Sequence, residues 1–208
     1  AEPATRLALD VWSDVVCPWC FIGLANLDTA LERFDHAGSV DVRLHSFQLD
    51  PSAPQRDEQP LVERLADKYG TSVEQIRQTQ ARIVALGAER GIDFRFDQAV
   101  GGNTFDAHRL LHLAARHDRQ IELKRRLGRA YFTDGDAIGE AETLRRAAAD
   151  VGLDPDEVDA VLAGEAFADD VRADIDQARS IGVTGVPFFV ADGRLAVSGA
   201  QPPETARR

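Results

Sequence analysis

The sequence predicts an α/β protein in which a large helical block interrupts a small sheet unit. Three observations predict it. A strand, helix and strand pattern opens the chain, helical periodicity dominates from Leu61 to about Ile181, and a hairpin pattern follows. The 208 residues suit one domain carrying a large insertion. A block of about 120 residues is too long for a connecting loop, so it reads as a helical subdomain placed inside the sheet unit. The predicted boundaries are 1–51 for the first sheet part, 52–181 for the helical insertion and 182–208 for the second sheet part.

Each element has its own signal. Leu7 to Trp12 alternates and stops at Ser13-Asp14, which predicts a short strand. Phe21, Leu24, Leu27 and Leu31 recur at helical spacing, with Pro18 suited to a first helical turn, so a helix is expected from Cys17 to about Phe34. Val40 to Phe47 alternates again and predicts a second strand, joined to the first by a right-handed crossover. Pro51 to Pro60 is a polar connector. Helices are then expected at Leu61–Lys68, Val73–Arg90, Phe105–His117, Glu122–Phe132, Ala141–Asp150, Pro155–Leu162 and Phe167–Ser180. Thr71 or Ser72 caps the second of these, and Asp154 before Pro155 caps the sixth. Pro187–Val190 and Arg194–Ser198 flank an Asp192-Gly193 turn, the signature of a tight hairpin. Gln201 to Arg208 leaves little room for a closing helix.

Composition removes several function classes. The formal charge is −11 with a pI near 4.9, which opposes nucleic-acid binding. No apolar run approaches the ~18–20 residues of a membrane span. Two cysteines do not make a disulfide scaffold. Ala1 to Asp10 lacks the pattern of a signal peptide, and a chain without methionine reads as a processed or trimmed product; the cytoplasm is the expected compartment.

The two cysteines stand three apart, in Cys17-Pro18-Trp19-Cys20, between a strand and a helix. Cys17 would occupy the helix N-terminus, exposed, where unpaired N–H groups and the helix dipole favour a thiolate. Cys20 lies almost one turn on and faces inward, so it can resolve a mixed disulfide formed at Cys17. A structural zinc site would need four ligands, and the five histidines supply no second knuckle, so no metal is expected. Two inert buried thiols are the other bland alternative. Val186-Pro187 precedes the aromatic strand, where a cis bond would bend the chain and present the backbone of Val186 to an extended substrate. Proline bonds are mostly trans, so the bare sequence does not select cis. Asp14 is read as a cap for the active-site helix or a proton shuttle for Cys20, with capping the blander role. His108 and His112 are four apart on a helix, but Arg109-Leu110-Leu111 lacks the glutamate of a metalloprotease, so His112 is read as packing or surface.

In this order the chain resembles the thioredoxin-fold DsbA family, and within it the FrnE-like subgroup of dithiol–disulfide oxidoreductases. The matching pieces are Ser13 to Gly23, Phe47 to Pro51, Asn103 to Arg109, Tyr131 to Gly135 and Gly182 to Val190. The resemblance implies a thioredoxin fold with an inserted helical subdomain, Cys17 as nucleophile, Cys20 as resolving thiol and Pro187 as the family's cis-proline. It also turns the segment opening at Asn103 toward the redox site. The candidate substrate-contacting residues are therefore Pro18, Trp19, Val186 and His108.

The first functional expectation is a thiol–disulfide oxidoreductase or isomerase acting on protein thiols and disulfides, with glutathione a second candidate partner and no cofactor. The alternative is a glutathione-dependent isomerase or transferase of the kappa and 2-hydroxychromene-2-carboxylate type; such relatives generally carry a serine where Cys17 stands. A third is a non-enzymatic holdase using a groove under the helices.

Overall fold

The computed structural model describes residues 6–205. Strand β1 (Leu7–Ser13) leads into helix α1 (Pro18–Glu32), and the chain returns in β2 (Val40–Ser46), parallel to β1. Seven helices follow: α2 (Leu61–Tyr69), α3 (Val73–Ala88), α4 (Phe105–Arg116), α5 (Gln120–Arg129), α6 (Ala141–Asp150), α7 (Pro155–Ala163) and α8 (Ala168–Ser180). Strands β3 (Phe188–Ala191) and β4 (Leu195–Ser198) close the sheet, whose order is β2-β1-β3-β4 with β3 antiparallel to both neighbours. This is a thioredoxin-like fold with a helical insertion between β2 and β3.

The period-2 pattern of β1 sets the two faces of the sheet. Val11 packs with Leu24 and Leu27 of α1 and with Leu44 of β2. Its neighbour Trp12 points the other way, onto Ala178 of α8 and Val183. Thus α8, although inside the helical stretch, covers the second face of the sheet. A third and larger core joins α1 to the insertion, with Val15, Phe21 and Ile22 packed among Leu110, Leu123, Leu127 and Phe132. Each such side chain contributes about 1.5–3 kcal/mol on burial. A Cβ at Gly128 would collide with the Phe21 ring, so this glycine lets α5 approach α1 closely.

The local signals hold where they were strongest. Ser72 forms a capping box with Gln75, and the Asp154 side chain accepts from the N–H groups of Asp156 and Glu157. Asp192 and Gly193 both have positive φ, as the hairpin turn demands. The expected helix through Phe132 ends at Arg129 and continues as a π-helical turn, Ala130–Asp134. After β4 the described residues hold no closing helix; positions 1–5 and 206–208, which carry part of the terminal readings, lie outside them.

Candidate active site

The end of β1 delivers the chain to α1 through Asp14, Val15 and Val16, and α1 begins on the Cys17-Pro18-Trp19-Cys20 motif. Cys17 is the N-cap, with extended backbone angles and no side-chain cap, and Pro18 occupies the first helical turn. The Cys20 N–H donates to the Cys17 carbonyl at 3.1 Å, which holds the two residues in one turn. Trp19, between them, is 38 % exposed. The Cys17 thiol donates to the carbonyl of Val186 at 3.5 Å, and the Val186–Pro187 bond is cis. The structure therefore brings Cys17, Cys20, Pro18, Trp19, Val186 and Pro187 to one end of the sheet.

Three expectations need correction. Cys17 is not exposed: it is 4 % accessible, because the Val186 carbonyl and the surrounding chain cover a thiol that a free helix end would leave open. Asp14 does not cap α1. Its carboxylate accepts from the N–H groups of Val15 and Leu49, each at 2.8 Å, and lies 3.1 Å from His108 Nε2. His108, offered above as a substrate contact, is only 1 % exposed and meets Asp14 rather than solvent. His112 lies in a different cluster, 3.0 Å from Asp174.

Electrostatics separate the two thiols. A hydrogen bond from the Cys20 thiol, helped by the Cys20 N–H, outweighs burial and holds Cys17 below the ordinary thiol range. Burial, then the hydrogen bond and charge of Cys17, push Cys20 well above it. Burial also pushes Asp14 up, but the hydrogen bond and charge of His108 and the Leu49 N–H leave its carboxyl below the usual range. The thiol most able to ionise is thus the one at the helix end, beside Val186.

Sequence reasoning missed Lys124. It stands on α5, wholly buried, with Nζ 5.1 Å from the centre of the Phe21 ring and no hydrogen-bond partner among the described residues. Lys124 and Gly128 are one turn apart on the α5 face that meets Phe21, which is why the close approach of α5 to α1 buries the ammonium. One signal was available: the chain has two lysines among 24 basic residues. Among the described residues no cluster of His, Cys, Asp or Glu could hold a metal ion, and no helix is long and apolar enough to cross a membrane.

A model of the DsbA-like thioredoxin domain matches residues 8–208. The chain belongs to that family. This DsbA-like protein is 42 % identical to a probable DsbA oxidoreductase of Streptomyces coelicolor, with a TM-score of 0.91 over 96 % of this chain and 86 % of that one. It is also similar to the cytosolic disulfide reductase DsbM of Pseudomonas aeruginosa, at 23 % identity and a TM-score of 0.64 over 96 % of this chain and 90 % of that one. At that distance the likeness shows the fold alone. A curated relative, the uncharacterized protein YwbO of Bacillus subtilis, is 28 % identical over 92 % of this chain and 90 % of its own length.

Proposed function

We propose that this DsbA-like protein exchanges disulfides with protein dithiols through Cys17 and Cys20. The observation that carries this reading is the asymmetry of the pair: one thiol held low in pKa at a helix end beside Val186, the other raised by burial one turn inward. Cys17 as thiolate attacks a substrate disulfide sulfur, and the electron pair of the broken bond leaves on the substrate's other sulfur. Cys20 then gives up its proton and attacks Cys17, releasing the second substrate thiolate and leaving the Cys17–Cys20 disulfide. A substrate dithiol runs the same steps backwards. Trp19, exposed between the cysteines, and the backbone at Val186 and Pro187 form the surface a substrate segment would meet. His108 acts behind that surface, by holding Asp14.

Isomerase activity belongs to the same proposal, as does a FrnE-like placement within the family. Cytoplasmic work follows from a chain whose two cysteines form a redox pair rather than a scaffold; glutathione is the small thiol proposed to recycle them. The helical stretch 52–181 is proposed to limit which substrates reach Cys17, which is already nearly covered. The likeness to a 2-hydroxychromene-2-carboxylate isomerase, 12 % identical, shows a shared fold alone, and an intact Cys-x-x-Cys pair favours dithiol chemistry.

The test is insulin reduction with dithiothreitol. The wild type should accelerate it, Cys17→Ser should abolish turnover, and Cys20→Ser should accumulate a covalent substrate complex that thiol reductant releases. Glutathione binding without dithiol turnover would contradict the proposal.

A further inference from the structure

An ammonium at Lys124 is expensive, since the side chain is wholly buried and Nζ has no hydrogen-bond partner among the described residues. Its Nζ lies 5.1 Å from the centre of the Phe21 ring, and Phe21 follows Cys20 at the start of α1, so the amine is buried against the part of the helix that carries the thiols. The charges that act on it come from Cys20, Asp14 and Cys17; Asp14, on the loop before α1, is already engaged by His108 of α4 and by two backbone N–H groups. Burial, the largest influence, holds the Lys124 amine below its ordinary value, while Cys20, then Asp14 and Cys17, favour its charged form. Of these groups, only the cysteines change with redox state. As dithiol they can hold a thiolate; as disulfide they hold no charge. The residue type matters as well. Arginine, which supplies nearly all the basic residues of this chain, keeps its proton in any protein environment, whereas a buried lysine can release one.

We propose that Lys124 is the internal counter-ion of the Cys17–Cys20 pair, taking a proton as the disulfide is reduced and losing it as the disulfide forms. This rests on the redox reading of the cysteines and goes beyond it by assigning a positioning residue on the inserted helices. The step balances. A substrate dithiol supplies two electrons and two protons; the Cys17–Cys20 bond breaks, one proton goes to Cys20 Sγ and one to Lys124 Nζ, and Cys17 remains a thiolate beside the ammonium. Oxidation returns both protons to the departing dithiol. Lys124 thereby favours the reduced form and makes the disulfide a stronger oxidant than burial alone would allow.

Two measurements test this, and both read the disulfide itself rather than substrate turnover, so they stand apart from the insulin assay. The first is the equilibrium of the full-length protein with glutathione, comparing wild type with Lys124→Met. Even in a partly screened site, at an effective dielectric of about 20, one charge acting on a thiolate is worth about a decade in an equilibrium constant. Lys124→Met should therefore shift the equilibrium about tenfold toward the disulfide. The thermal midpoint of the oxidised variant should rise more than that of the reduced one. The second uses the wild type, so it is decisive even if Lys124→Met does not fold. With lysine labelled at Cε, two resonances are expected, and Lys68 supplies the reference. By thermodynamic linkage the Lys124 resonance should titrate at lower pH in the oxidised protein than in the reduced one. An unchanged glutathione equilibrium in the variant overturns the proposal. So does a Lys124 titration that ignores redox state.

Discussion

One turn of α4 separates two acid–histidine contacts that the fold treats differently. His108 meets Asp14 beside the cysteines, with both side chains 1 % exposed. His112 meets Asp174 of α8, which also takes His45 at 2.7 Å and the Ser46 N–H at 2.8 Å. His45 reaches Asp10 with its other nitrogen and stacks on Trp12 at 4.5 Å. Side chains in this second cluster are 11–24 % exposed. The chemistry is the same and the access to water is not. A sealed pair that loses one member leaves an uncompensated group, whereas a damp cluster can replace a partner with water. The first contact thus lies beside the proposed redox pair; the second clasps α8 to the sheet.

The largest effect should come from breaking the sealed pair. His108→Ala leaves Asp14 buried without its side-chain partner and should cost about 3–5 kcal/mol in urea unfolding. It should also disturb thiol reactivity, since Asp14 acts on Cys17.

Cutting the clasp should cost less and depend on pH. Asp174→Asn should lose about 1–3 kcal/mol, with insulin reduction largely retained. Burial pushes the Asp174 carboxyl up, but His112, His45 and the Ser46 N–H pull it well below its ordinary value. Its contribution is therefore present above the unfolded carboxylate value, roughly 4, and fades as pH falls toward the depressed value. Burial pushes the His45 imidazole down, yet Asp174 and Asp10 raise it overall. Its contribution is complete below the unfolded histidine value, roughly 6.5, and is lost as pH rises through the raised one. Urea midpoints across pH should show the deficit of Asp174→Asn greatest between those limits; a flat deficit would remove the ionic account of the clasp.

The smallest effect is the control. Asp154→Ala removes a solvent-exposed helix cap far in sequence from both histidines. A loss of about 1 kcal/mol, equal in the reduced and oxidised proteins, should register in urea unfolding.

What could be read from the sequence was local. Alternation in Leu7–Trp12 and Val40–Phe47, the Asp192-Gly193 turn and the caps at Ser72 and Asp154 each fix backbone within a few residues, and each stands in the structure. Cys17 and Cys20 were recognisable because their chemistry depends on being three apart at a helix start. What needed the tertiary structure was everything decided by burial. Asp14 resembles a cap until His108 arrives from α4. Cys17 resembles an exposed helix end until Val186 covers it. Lys124 resembles one more charge on a helix rich in them; only the approach of Phe21 over Gly128 shows which face is inside.

The central claim is that two thiols one turn apart have opposite tendencies to ionise. It is tested most directly by alkylating the reduced wild type with iodoacetamide across the acid-to-neutral range and mapping the modified peptide by mass. The account predicts that Cys17 reacts first, at a pH well below the free thiol value of ~8.5, while Cys20 stays unmodified. Reaction at Cys20 first, or at both thiols together only as pH nears that value, would contradict it.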